Sequence, residues 1–177
     1  MKFEEKTLKS EYVYNGKVLD IKRDEVLISN GHKSVREVVE HSGGVVILAV
    51  QNDEVLTVEQ FRYPLKKTSI ELPAGKLEKN ENPDDASKRE LQEETGYIAH
   101  RWDSLGYIYT TPGFCDEKLY LYLARDLEFV KEMPDEDEIL QAKKTPIKDI
   151  YNMIHSEMIN DSKTIFTIFR AVKYLND

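Results

Sequence analysis

The sequence lacks most of the features that would take it out of a reducing cell interior. It has one cysteine, Cys115, in 177 residues, so no intramolecular disulfide can form and a cytoplasmic setting is expected. No apolar run approaches the roughly 20 residues that span a bilayer. The opening MKFEEKTLKSEY also lacks the apolar core of a secretion signal. Positive charge is short as well: 25 Lys and Arg face 33 Asp and Glu, a net charge of −8. A field of that sign attracts neither nucleic acid nor an anionic membrane as partner. It does not exclude a phosphate-bearing substrate, because divalent cations held by carboxylates invert the local charge. His32, His41, His100 and His155 are scattered, without metal-ligand spacing.

What remains is 40% hydrophobic and 33% charged residues, which suits one domain with a buried core and a small extension. No internal repeat or long flexible linker interrupts it. Residues 11–40 read as a meander of strands, with Asn15-Gly16 and Asn30-Gly31 suited to tight turns that need positive backbone dihedrals. So small a sheet buries little alone and must pack on the main domain or on another subunit. The run Gly43-Gly44-Val45-Val46-Ile47-Leu48-Ala49-Val50 reads as a central strand buried on both faces, and Val55 to Gln60 as its return. Ile70 to Leu72, Gly106 to Thr110 and Lys118 to Arg125 read as further strands. A helix is expected from Pro83 to Thr95, with Asn82 as N-cap and Gly96 as left-handed C-cap. Two more are expected at Pro146–Met158 and Ser162–Leu175. The last carries an apolar stripe of Ile165, Phe166, Phe169, Val172 and Leu175, with Asp161 as cap. This order predicts an α/β fold: a mixed sheet between helices, plus an N-terminal antiparallel β extension. The expected division is 1–42 for the extension and 43–177 for the main domain.

The helix at 83–95 carries the chemistry. Glu90, Glu93 and Glu94 stand at i, i+3 and i+4 and so share a face, with Arg89 beside them. On charge alone a solvated acidic face is the commoner reading of such a trio. Against it, Gly75 and Gly96 bracket a loop and helix whose apolar positions, Ala86 and Leu91, are few. Carboxylates that repel one another are relieved by a cation, and oxygen-only ligands favour hard ions such as Mg²⁺ or Mn²⁺.

The stretch GKLEKNENPDDASKRELQEETGY resembles the Nudix box, G-x5-E-x7-R-E-U-x-E-E-x-G-U, at Gly75, Glu81, Arg89, Glu90, Leu91, Glu93, Glu94 and Gly96. The final position departs from the pattern: it is Tyr97, where an aliphatic residue is usual. The resemblance implies an α/β/α sandwich that hydrolyses a nucleoside diphosphate linked to a further group. It implies Glu90 and Glu94 as principal metal ligands, Glu93 in support, and Arg89 orienting the glutamates. It also implies Glu81 tying the loop to the helix or reaching metal through water, and the Ala74 carbonyl as a further ligand.

Pro112, sixteen residues beyond Gly96, resembles the marker of ADP-ribose pyrophosphatases, as do Glu59-Gln60-Phe61-Arg62-Tyr63, Glu71-Leu72-Pro73-Ala74-Gly75 and the N-terminal strand extension. That likeness implies Mg²⁺-dependent cleavage of ADP-ribose to AMP and ribose 5-phosphate, by water attacking the adenosyl phosphate. It implies a homodimer in which each active site uses both chains. Arg62 would grip a phosphate, Arg36 would reach the partner's site or remain a strand-surface charge, and Glu117 would accept from ribose hydroxyls. Tyr12 or Tyr14 would stack on adenine. The general base would come from the acidic loop before Ile139, with Glu138 first and Glu136 second. Two alternatives stay open: a broader hydrolase of ADP-glucose or GDP-mannose, and a sensor that binds ADP-ribose or NAD derivatives without cutting them.

Overall fold

The computed structural model describes residues 3–131 and 139–175. Its contacts divide the chain into two compact units, Met1–Gly43 with Tyr109–Lys118, and Gly44–Ile108 with Leu119–Asp177.

The first unit is an antiparallel sheet in the order β1 (Glu5–Asn15), β2 (Leu19–Ile28), β3 (Lys33–His41). β1 begins six residues before the expected start of the meander. Its sequence EKTLKSEYVYN is exposed along its whole length, so burial imposes no apolar alternation that would mark it. Of the two anticipated positive-dihedral glycines, Gly31 turns at φ 87, whereas Gly16 does not enter the left-handed region. At Gly16 the need is room: a Cβ there would crowd the Tyr14 ring and the Leu19 carbonyl. The loop 111–117 is laced to β3, with Val39 N–H donating to the Phe114 carbonyl at 2.8 Å and Asp116 N–H donating to the Val39 carbonyl at 3.1 Å.

The second unit is a mixed sheet in the order β10 (Leu140–Pro146), β5 (Glu54–Arg62), β4 (Gly44–Gln51), β9 (Lys118–Phe129), β8 (Tyr97–Tyr109). Two short strands attach to it, β6 (Lys67–Glu71) on β5 and β7 (Ala74–Lys76) on β4. β4 runs parallel to β9 and antiparallel to β5 and β7. The alternation of side chains along β4 explains the layering. Val45, Ile47 and Ala49 join Ala86 and Leu91 of α1 (Pro83–Thr95) in one apolar cluster, with Tyr122 and Ala124 of β9. Val46 and Leu48 face the opposite way, into a cluster with Ile150 of α2 (Ile147–His155) and Ile168 and Ala171 of α3 (Ser162–Leu175). Helices thus cover both faces, and the expected sandwich is what forms.

Three differences from the sequence expectations have physical causes. β8 starts directly after Gly96 and runs 13 residues, because its half-exposed mix of polar and aromatic residues hides the strand from an apolar search. β10, LQAKKTP, was not anticipated; it pairs with β5 from Leu140↔Gln60 to Pro146↔Glu54, and its lysines belong to an exposed outer strand. The stripe on α3 is rotated from the one expected. Thr164, Thr167, Ile168 and Ala171 are buried, while Phe166 and Phe169 are 43% and 48% exposed. The buried threonines are satisfied: Thr167 Oγ1 donates to the Lys163 carbonyl one turn back at 2.7 Å, and Thr164 Oγ1 accepts from the distant Leu72 N–H at 2.9 Å. The side chain of Leu175 lies outside the described ones.

Candidate active site

The site is assembled on α1. Asn82 caps it, its side chain accepting from Asp84 N–H at 2.9 Å, and Pro83 opens its first turn. Gly96 closes it in the left-handed region at φ 74, its N–H donating to the Gln92 carbonyl at 2.8 Å. Tyr122 on β9 donates to Asp84 Oδ1 at 2.6 Å. Burial and the Asp84 carboxylate together push that phenol up. The helix is therefore pinned at both ends, and Ala86 and Leu91 anchor its middle at 0% exposure.

The face so pinned carries Glu90 and Glu94, which are 8% and 4% exposed. Glu94 Oε2 accepts from Ala74 N–H at 2.9 Å, so the carboxylate sits against the backbone of β7. Gly75, the next residue of β7, leaves the space that the Glu90 carboxylate fills; a Cβ there would run into it. Glu93 faces more towards solvent.

Arg89 ties these groups together. Its Nε and Nη2 grip the two oxygens of Glu81 at 2.9 and 3.0 Å, and its Nη1 donates to Glu90 Oε1 and Glu93 Oε2, both at 2.8 Å. Helix spacing suggests that one arginine neutralises one glutamate of the trio; with Glu81 included it reaches three carboxylates, two of them in the trio. The hydrogen bond from Arg89, against the cost of burial, holds the Glu81 carboxyl below its usual range. Those acidic neighbours in turn hold Arg89 firmly protonated. Glu81 Oε2 also accepts from Glu78 N–H at 2.9 Å, fastening the loop that enters the helix.

The donor set suits a hard divalent cation: buried carboxylate oxygens one helical turn apart, beside backbone that a glycine keeps open. Among the described residues no three acidic, His or Cys side chains form a ready metal cage. Two carboxylates with water and substrate oxygens completing the shell are what a Mg²⁺-like ion requires.

A second cluster lies in the same unit. Arg62, at the end of β5, grips Glu71 of β6 through Nε at 2.8 Å and Nη2 at 2.6 Å. Glu71 is only 2% exposed and is bound as well by Lys163 of α3. Burial alone would push the Glu71 carboxyl up, but Arg62 and Lys163 outweigh it and hold it at about 2. Lys163 also pairs with Asp161 at 3.0 Å. With Ser69, Asn160 and Ser162 these groups line a cavity of about 330 Å³. Neither Glu71 nor Lys163 was anticipated as a site residue. The signal available was a carboxylate inside the otherwise apolar run IELPA, which demands a buried partner.

In the N-terminal unit, Arg36 and Pro112 line one cavity of about 450 Å³ with Tyr109, Phe114, Cys115 and Asp116. Arg36 is engaged by Glu5, through Nε at 2.9 Å and Nη2 at 2.5 Å. Glu117, Tyr12 and Tyr14 are not among the lining residues. Glu117 Oε1 lies 3.5 Å from His41 Nδ1. Tyr12 Oη donates to Glu40 at 2.8 Å, and that carboxylate raises the phenol's pKa; Tyr14 is 55% exposed. Glu136 and Glu138 fall outside the described residues.

A family model described as "NUDIX domain" matches residues 40–166, and one described as "Nucleoside diphosphate sugar hydrolase N-terminal domain" matches residues 5–39. The chain is similar to an ADP-ribose pyrophosphatase of Bacillus subtilis (strain 168), with 41% identity over 97% of this chain and 92% of the relative. It is equally similar to a methanol dehydrogenase activator of Bacillus methanolicus, with 41% identity over 98% of this chain and 93% of the relative. Among solved structures it resembles a crystal structure of an ADP compounds hydrolase, with a TM-score of 0.88, 20% identity and coverage of 99% of this chain and 97% of the other.

Proposed function

This chain belongs to the NUDIX domain family, and we propose that it hydrolyses the pyrophosphate bond of ADP-ribose to AMP and ribose 5-phosphate with Mg²⁺ as cofactor, Mn²⁺ being the alternative. The observation that carries this reading is the α1 face itself. Two buried carboxylates, Glu90 and Glu94, are seated against β7, Glu90 held by Arg89, which Glu81 grips in turn, and Glu94 by Ala74 N–H. Similarity to an ADP-ribose pyrophosphatase at 41% identity over nearly the whole chain supports the choice of substrate.

Glu90 and Glu94 would hold the metal, with Glu93 and Glu81 in support and the Ala74 carbonyl as a backbone donor. Bound there, a divalent ion offsets phosphate charge and acidifies water. The chain's own groups do the rest. Arg89 keeps two of the trio's carboxylates from repelling each other apart, which suits its planar donor fork. Arg62, fixed by Glu71, offers a cation to a substrate phosphate. Glu138, with Glu136 as alternative, accepts the proton of the attacking water; their place before Ile139 supports this role. Arg36 and Pro112 contribute to substrate contact through the cavity they line, Glu117 through the ribose hydroxyls, and Tyr12 or Tyr14 through the adenine ring.

In this reading residues 1–42 form a dimerising extension and 43–177 the hydrolase domain, in a cytoplasmic homodimer with shared active sites. β1, exposed along its length, supports that placement. Among the described residues no helix is long and apolar enough to cross a membrane. A broader nucleotide-sugar specificity is the second reading, favoured by the description of the family that matches residues 5–39. Purified protein with Mg²⁺ is to be assayed against ADP-ribose, ADP-glucose, GDP-mannose, NADH and 8-oxo-dGTP, with products identified. Preferred cleavage of ADP-ribose to AMP is expected. Cleavage of 8-oxo-dGTP without ADP-ribose cleavage overturns the proposal.

A further inference from the structure

We infer that the first turn of α3 is a positioning device for Arg62, acting through the buried carboxylate of Glu71, and that Lys163 is its key residue; this rests on the reading of Arg62 as the phosphate-gripping cation. The charges form a chain that runs from the helix start to the cavity: Asp161, Lys163, Glu71, Arg62. Exposure along it is 18% at Asp161, 15% at Lys163, 2% at Glu71 and 37% at Arg62, so of these four side chains, all of which line the cavity, Arg62 is the most open to a ligand.

The geometry fixes a plane as well as a position. Both oxygens of Glu71 are taken by the Nε and Nη2 edge of Arg62, which sets the orientation of the whole guanidinium. Lys163 donates to the Glu71 oxygen that also receives Nη2. A carboxylate held by Arg62 alone could swing with it; one held from the opposite element, 92 residues away, cannot. Lys163 is itself fixed by Asp161 at 3.0 Å, and Asp161 accepts from Thr164 N–H at 2.9 Å as the cap of α3.

The same turn reaches the metal-holding face. Thr164 Oγ1 accepts from Leu72 N–H, and two residues on Ala74 N–H donates to Glu94. A purely stabilising contact at a fully buried strand end would be met by an apolar side chain at less desolvation cost. A carboxylate shared by two cations at a cavity wall, one of them more than twice as exposed as the other, is instead suited to aiming the more exposed cation. Glu71 and Lys163 are positioning residues here; Arg62 is the group that touches substrate.

The test is a kinetic cycle with ADP-ribose as the probe. Lys163→Met keeps the aliphatic stem and leaves Glu71 paired with Arg62, so the fold is retained, as a thermal melt verifies. KM is expected to rise roughly tenfold with kcat within about threefold of wild type, and Lys163→Arg is expected to restore it. In an Arg62→Ala background, Lys163→Met is expected to have no further effect, because the group it aims is gone. An unchanged KM in Lys163→Met, or an equal rise with and without Arg62, overturns the inference while leaving the functional reading intact. Absence of turnover by wild type on every nucleoside diphosphate derivative in the panel overturns both.

Discussion

Replacing Gly75 by alanine separates the site from the fold more cleanly than removing a carboxylate does. Gly75 lies in β7 with its backbone outside the left-handed region, so alanine meets no conformational strain there. Its Cβ would instead occupy the position of the Glu90 carboxylate. That carboxylate is the end of a flexible side chain and can rotate away, giving up the 2.8 Å bond from Arg89 Nη1. Loss of this bond costs about 1–2 kcal/mol, a charge-assisted contact at a partly exposed arginine. The lower entropy of the unfolded alanine chain returns about 0.4–1 kcal/mol. Net destabilisation is therefore expected to stay near 1 kcal/mol, while Glu90 is displaced by more than an ångström, a misplacement that can cost about 10²-fold in rate. Thermal melts read the first quantity and ADP-ribose turnover at saturating Mg²⁺ the second. Wild-type turnover in a folded Gly75→Ala protein would refute the placement of Glu90 in the site. Unfolding would refute the claim that the glycine serves the site and not the strand.

Three further outcomes are expected. Arg89→Lys retains charge but cannot span Glu81, Glu90 and Glu93 at once, so turnover should fall at least tenfold with a raised Mg²⁺ requirement, read by metal titration of the rate. Gly96→Ala places a Cβ in the left-handed region at φ 74 and should cost about 1 kcal/mol in chemical denaturation. Acid should weaken the fold through Glu71. Its pKa is depressed from 4.5 unfolded to about 2 folded, so the stability it contributes is complete above pH 4.5 and lost as pH falls towards 2. Thermal melts of Glu71→Gln should therefore show a shallower loss between pH 5 and 2 than wild type.

The helix and its capping were legible in the sequence because local rules decide them: an Asn cap, a proline in the first turn, a left-handed glycine and carboxylates at i, i+3 and i+4. β4 was legible because burial on both faces leaves an unbroken apolar run. Only the end of β8 from Gly106 was legible, and β10 not at all, since outer strands with lysine and tyrosine carry no such run, and their pairing with distant strands supplies what the pattern withholds. The α3 stripe misled because Phe166 and Phe169 weigh more in any periodicity than Thr164 and Thr167, yet the threonines find hydrogen-bond partners, at Leu72 N–H and the Lys163 carbonyl, and go inside. The box motif showed which carboxylates cluster, but not that Arg89 binds three of them. The Arg62–Glu71–Lys163 network joins residues up to 92 positions apart in a fold that must exist before they meet. The choice of Tyr12 or Tyr14 for adenine rested on the family likeness alone, since a chain with ten tyrosines marks none of them by pattern; in the structure Tyr12 donates to Glu40.

The central claim is that the buried face of α1 holds the metal and that its carboxylates serve chemistry, not packing. Glu94→Gln tests it most directly, because glutamine can still accept from Ala74 N–H and fills nearly the same volume, while the charge and one acceptor oxygen are removed. The measurement is steady-state hydrolysis of ADP-ribose at saturating Mg²⁺, with a thermal melt on the same sample. The account predicts a loss of turnover of about 10²-fold or more with the melt nearly unchanged. Near-wild-type turnover in that variant contradicts it.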